Sequence, residues 1–220
     1  MYPPSRLACA TCRICWGPVQ DPFALCYQCD LATSEAGDLL ADAVAPVGYA
    51  VKGDQLAADL RRYKSGRDGA AEAMRRLQSL LAAFLGEHGA SVWRAAGMDD
   101  APSVVAIVPS GQGRAGEHPL TSLVMSCVDL PVAQLIVRPP AEPRHRGISL
   151  GWLSVRGPVS GADVLLVDDT WVSGGSAQSA AAALKLAGAR RVALVVLGRH
   201  VDPADPRSAE LLGALRSAGP

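Results

Sequence analysis

Four short runs of apolar, largely β-branched residues constrain this chain more than any other feature: Val104-Val-Ala-Ile-Val108, Val132-Ala-Gln-Leu-Ile-Val137, Val164-Leu-Leu-Val167 and Val192-Ala-Leu-Val-Val-Leu197. Each is nearly continuous in apolar side chains instead of alternating, as strands buried on both faces must be. Helical segments separate some of them, notably residues 176–187, rich in alanine and stopped by Gly188. Strands alternating with helices predict an α/β fold on a parallel sheet with right-handed crossovers. Upstream, residues 45–51 predict a first strand or half-strand and residues 56–63 a helix. Residues 70–85 predict a longer amphipathic helix carrying Ala73, Leu77, Leu80, Leu81 and Phe84, ended by Gly86.

Residues 1 to about 33 differ in kind, being rich in Cys, Pro and turn formers with no sustained helical or strand period. Five of the six cysteines fall between Cys9 and Cys29. In a reducing compartment that density points to metal ligation rather than disulfides. Cys12-Arg-Ile-Cys15-Trp-Gly17 and Cys26-Tyr-Gln-Cys29 are two C-x-x-C turns whose thiolates can meet around one structural zinc ion. Gly17 is expected to take the positive φ of the first turn. Cys9 and Cys12 form a competing pair; the Trp-Gly context favours Cys12 and Cys15. The expected organisation is a zinc knuckle and linker over residues 1–40 and one α/β domain over residues 41–220. Cys127 stands apart as a core residue.

Lys plus Arg and Asp plus Glu number 21 each, so the whole-molecule field does not call for a nucleic-acid or membrane partner. The start of the chain lacks an apolar h-region, and no stretch approaches the ~20 apolar residues of a membrane span, so a cytoplasmic location is expected.

The segment that carries chemistry is Val164-Leu-Leu-Val-Asp168-Asp169-Thr170-Trp-Val-Ser173-Gly174-Gly175-Ser176: a buried strand, two acids, a small-residue loop and a helix start. In open α/β sheets ligands sit beyond the carboxyl ends of the strands, where a loop entering a helix aims unpaired N–H groups at an anion. Gly174 and Gly175 let the backbone close on a phosphate, and the hydroxyls of Ser173 and Ser176 add donors. Two carboxylates would repel that phosphate unless they face sugar hydroxyls or a bridging magnesium ion, and a sugar phosphate satisfies both halves. The bland alternative is a solvated strand end with Ser173 as an ordinary N-cap. A receiver domain needs a later Lys, and none follows Lys185; no G-x-x-x-x-G-K-[ST] loop is present either.

This segment resembles the signature of type I phosphoribosyltransferases. The resemblance implies that Asp168 and Asp169, as catalytic and binding residues, contact ribose hydroxyls, that residues 172–176 (Val172, Ser173, Gly174, Gly175, Ser176) hold the 5-phosphate of phosphoribosyl pyrophosphate bound with magnesium, and that Thr170 is a further binding residue. Val172 stands where many members have Thr, and Trp171 is bulky for this loop. A pyrophosphate grip is expected from Ser110, Gly111 and Arg114, just after the Val104–Val108 run. A mobile loop bearing Arg138, Arg144, His145 and Arg146 is expected to close over the site. Together with the four-cysteine head and Leu60-Arg-Arg-Tyr63-Lys64-Ser-Gly66, the chain is similar to the ComF family of competence-associated proteins, although that family's Arg-Gly-x-Asn-Gln segment is missing. The resemblance implies either transfer of ribosyl phosphate to an unidentified acceptor, or non-catalytic binding linked to DNA uptake, with single-stranded DNA or a protein partner at the zinc head.

Overall fold

The computed structural model describes residues 11–20, 22–109, 118–137 and 147–217. Among these residues seven strands form one sheet. They are β1 (Ala43–Pro46), β2 (Tyr49–Val51), β3 (Val104–Ile107), β4 (Val132–Val137), β5 (Leu153–Arg156), β6 (Asp163–Trp171) and β7 (Arg191–Val201). The order is β1-β7-β6-β3-β4-β5, with β2 also on β7. All pairings are parallel except β4 with β5. The expected α/β architecture on a mostly parallel sheet is what the chain adopts.

Alternation along the central strands divides the core. Val164, Leu166, Val192, Leu194 and Val196 face one side, against α5 (Gly175–Leu186). Leu165, Val167, Ala193, Val195 and Leu197 face the other, against α2 (Gln55–Arg62), α3 (Ala70–Ala95) and α4 (Pro119–Met125). Covered on both faces, β6 and β7 have no solvent side, and this is why their sequences do not alternate.

Four boundaries differ from the sequence reading. The helix expected to end at Gly86 continues to Ala95, because its apolar stripe continues through Val92 and its two interior glycines, Gly86 and Gly89, cost only about 1 kcal/mol each. The first strand is two pieces, β1 and β2, both laid along β7. β6 extends through both acids to Trp171, since β7 remains alongside it as far as Arg199. The apolar run at β4 lies next to the sheet edge rather than at its centre: Ile136 is exposed, and the antiparallel β5, unread in the sequence, closes that side. A helix was also missed in the head, α1 (Tyr27–Ala36), which has almost no amphipathic pattern and starts within the second C-x-x-C turn. Among the described residues no helix is long and apolar enough to cross a membrane.

Candidate functional site

The carboxyl ends of β3 and β6 lie side by side, and α2 brings a third component to them. The carboxylate of Asp59, 3% exposed, is gripped by Arg76 of α3 through Nε at 2.9 Å and Nη2 at 2.7 Å, and Gln55 donates to it at 2.9 Å. This fork holds the Asp59 carboxyl below its usual range and fastens α2 to α3. The residues just beyond α2 are thereby aimed at β6. Tyr63 Oη donates to Asp169 Oδ2 at 2.6 Å and Lys64 Nζ donates to the same oxygen at 2.8 Å. Neither pairing, across more than a hundred residues of sequence, was readable beforehand; the only signal was the aromatic/Lys segment itself.

The two acids are not equivalent. Successive residues of a strand leave on opposite faces, so Asp169 turns toward α2 and Asp168 away from it. Burial raises the Asp169 carboxyl, but the charge of Lys64, its hydrogen bond and that of Tyr63 outweigh burial and hold it below the usual carboxylate range, with His118 adding to the effect. His118, to which sequence reasoning gave no role, caps α4 by accepting the amide of Leu120 on Nδ1 at 3.1 Å. Asp168 is raised to about 7, first by burial and then by the charge of Asp169, although its Oδ1 accepts the Asp169 amide at 2.8 Å.

A pH dependence follows. A carboxyl whose folded pKa lies above its unfolded value contributes stability fully present below the unfolded pKa and lost as pH rises through the folded one. Wild-type stability should therefore fall, relative to Asp168→Asn, from a pH of about 4 up to about 7. At pH 8 the Asn variant should melt higher by several degrees. Calorimetric melts of both proteins at half-unit pH steps measure the difference curve, and a flat curve would show that Asp168 is ionised at no cost to the fold.

Beyond Trp171 the chain makes three residues of loop and enters α5 through Gly174, whose φ is +84°. The cap is thus Gly174 and not Ser173; Ser173 Oγ lies 3.5 Å from the Gly175 amide. The first turn-closing bond is from Gln178 N to Gly174 O at 2.9 Å, and among the described residues the amides of Gly174, Ser176 and Ala177 donate to no protein acceptor. Trp171, 2% exposed, lies beneath the loop: a Cβ on Gly174 would stand 2.1 Å from its ring. Val172 is 63% exposed, while Thr170, Ser173 and Ser176 are half-buried. Ser110, Gly111 and Arg114 of the expected pyrophosphate grip, and Arg138, Arg144, His145 and Arg146 of the expected closing loop, lie outside the described residues, as does Cys9.

The four-cysteine cluster is close-knit. The Sγ atoms of Cys12, Cys15, Cys26 and Cys29 all lie within 4.8 Å of one another. The Cys15–Cys26 separation of 3.7 Å compares with about 3.8 Å across a tetrahedral zinc thiolate with 2.3 Å bonds. Thiols this crowded cannot titrate independently: hydrogen bonds from Cys15, Cys26 and Cys29 hold Cys12 far below the thiol range, and Cys12, Cys15 and Cys26 push Cys29 far above it. A soft divalent ion removes the conflict by taking all four as thiolates, so the residues fit structural zinc. The turn differs from expectation in one detail. Trp16, not Gly17, has positive φ (60°), and Gly17 is required for space, because a Cβ there would meet the Arg199 guanidinium at 2.1 Å. Trp16 is fastened by Nε1 to Val44 O at 3.1 Å and by its carbonyl to Tyr49 Oη at 2.8 Å. Cys12, Cys15 and Cys29 share a core with Trp171 and α5, and α1 walls the small pocket floored by Trp171 and the Ser173, Gly174 and Gly175 loop.

No protein-family model and no curated protein matches the chain. Similar solved structures include phosphoribosyl enzymes. The orotate phosphoribosyltransferase of Mycobacterium tuberculosis H37Rv in complex with 5-phospho-alpha-D-ribosyl 1-diphosphate is 23% identical over 71% of this chain and 81% of that one, with a TM-score of 0.38. The adenine phosphoribosyltransferase of Leishmania tarentolae is 16% identical over 76% and 84%, with a TM-score of 0.42. The phosphoribosylpyrophosphate synthetase of Mycobacterium smegmatis is 26% identical over 60% of this chain, with a TM-score of 0.35, and this chain spans 37% of its length.

Proposed function

We propose that this chain binds phosphoribosyl pyrophosphate, or a closely related sugar phosphate, with magnesium, and transfers its ribosyl phosphate to an acceptor. The observation that supports this most is the adjacency of two chemically different surfaces at the end of β6: a carboxylate pair, and a helix start at which the amides of Gly174, Ser176 and Ala177 have no acceptor among the described residues. Amides and helix dipole suit the 5-phosphate, and carboxylate oxygens suit the ribose hydroxyls or a magnesium ion shared with the ligand's phosphates. Among the described residues no donor reaches Asp169 Oδ1, so that oxygen remains available while Oδ2 is held. The ligand lies on the open side of the loop, by Val172, Thr170 and Ser176. The small pocket on the α1 side has a volume of only about 10 Å³, room for little more than one water. Catalysis would consist of holding the sugar and stabilising the departing pyrophosphate, without a covalent nucleophile. The ComF likeness belongs to this proposal, and the seating of Tyr63 and Lys64 on Asp169 supports it.

Titration calorimetry of magnesium phosphoribosyl pyrophosphate tests the binding. Asp168→Asn/Asp169→Asn is expected to weaken it by a factor of about 100, the loss of two hydrogen bonds to charged groups. Equal affinity in the double variant would remove the acid pair from the site. A second reading, binding without transfer, is favoured by Val172, which presents an exposed isopropyl group beside the loop and offers a phosphate no hydroxyl. Pyrophosphate release against a panel of nucleobases separates the two: tight binding with no release selects the second.

A further inference from the structure

We propose that Arg199 is the positioning residue through which the metal-loaded knuckle fixes the sugar-phosphate loop, an inference that rests on the zinc and loop readings above. Arg199 lies near the end of β7, opposite Trp171 in register, and is 8% exposed. An arginine so buried retains its charge and must find partners for it. Its Nη1 donates to three carbonyls: His200 at 2.8 Å, Trp171 at 3.1 Å and Val172 at 3.3 Å. Two of those three are the residues from which the loop departs. The remainder of the guanidinium is poorly satisfied. Nε is buried with no acceptor, and among the described residues no carboxylate forms an ion pair with Arg199.

What lies against that side is the first knuckle turn. Gly17 sits so close that a Cβ would collide with Nη2, Cζ and Nε, and Gly17 belongs to the turn that carries Cys12 and Cys15, its carbonyl accepting the Cys12 amide at 2.8 Å. Four thiolates around a divalent ion carry net negative charge, so the loaded knuckle supplies the counter-charge that no carboxylate provides. In return, the arginine satisfies charge on the thiolate shell, the part that groups just outside the ligands play in holding a metal. One guanidinium therefore joins the metal site to the carbonyls of Trp171 and Val172. Emptying the knuckle removes its counter-charge and frees the clamp on the loop.

The test needs no ligand. Zinc content and chelator competition are measured with the backbone ¹⁵N order parameters of Ser173, Gly174 and Gly175, on full-length wild type, Arg199→Gln and Arg199→Lys. In zinc-loaded wild type these amides should show order parameters near about 0.85, falling below about 0.6 when zinc is stripped. Arg199→Gln should lose zinc affinity by about 10- to 100-fold and have a mobile loop even when loaded. Arg199→Lys keeps the charge but not the fork, so its zinc affinity should stay within about threefold while its loop is mobile. If Arg199→Gln does not fold, Arg199→Lys compared with wild type, both zinc-loaded, decides: a loop as rigid as in wild type overturns the inference. One zinc per chain with a loop equally rigid with and without it overturns this inference and leaves the knuckle standing; a purified chain without metal overturns both. Failure to bind phosphoribosyl pyrophosphate affects neither readout.

Discussion

Gly174→Ala is expected to destabilise the chain by about 2–5 kcal/mol, from two costs that arise at one atom. The left-handed conformation at φ +84° costs a non-glycine residue about 1–2 kcal/mol. The new Cβ would also lie 2.1 Å from the Trp171 ring, and overpacking of a core costs typically about 1–3 kcal/mol. Trp171 cannot swing aside cheaply, because it is 2% exposed and packed against α5 and the knuckle cysteines. If the loop moves instead, the amides of α5 are re-aimed, so binding of phosphoribosyl pyrophosphate should fall by more than tenfold in whatever fraction folds. Urea denaturation with two spectroscopic probes measures the first effect and calorimetry the second. An alanine variant within about 0.5 kcal/mol of wild type, the range of an ordinary surface change, would mean that Trp171 does not support the loop.

The second large effect is expected from Cys29→Ser. Cys29 sits in the first turn of α1, 3% exposed, and closes the cluster from the second C-x-x-C turn. Structural zinc in small finger peptides has an apparent binding free energy of about 10–16 kcal/mol, and most of it is folding free energy. The helix of the head has little packing of its own: α1 buries only Cys29 and Ala36. Metal analysis should show one zinc per wild-type chain and close to none in the variant. Thermal unfolding should shift down by more than ten degrees, since the knuckle also covers Trp171 and α5. A variant that retains its zinc and its melting temperature would show that Cys29 is not a ligand.

The depth of the sheet was legible because solvent leaves it no choice. Val164-Leu-Leu-Val and Val192-Ala-Leu-Val-Val-Leu are apolar on both faces, and only a strand covered on both sides requires that. The four cysteines were legible because C-x-x-C spacing is itself a local geometry, two thiolates presented by one turn. β5 was not, since Leu153-Ser-Val-Arg156 is too short for a pattern, and it is a strand because β4 offers an open edge. The course of α3 past Gly86 was decided by the packing of Val92 on the sheet, which outweighs a glycine's propensity.

By itself the sequence determined which residues carry charge, thiolate and conformational freedom: the acid pair, the glycine bend and the paired cysteines. Only the tertiary structure decided what each one faces. Tyr63 and Lys64 reach Asp169 from 106 and 105 residues away, and Arg199 lies between the loop, up to 28 residues away, and Gly17 of the knuckle at the other end of the chain. The physical reason is that propensity and spacing act within a few residues, whereas a buried charge finds its partner wherever packing of distant elements brings one, and no local pattern encodes that meeting.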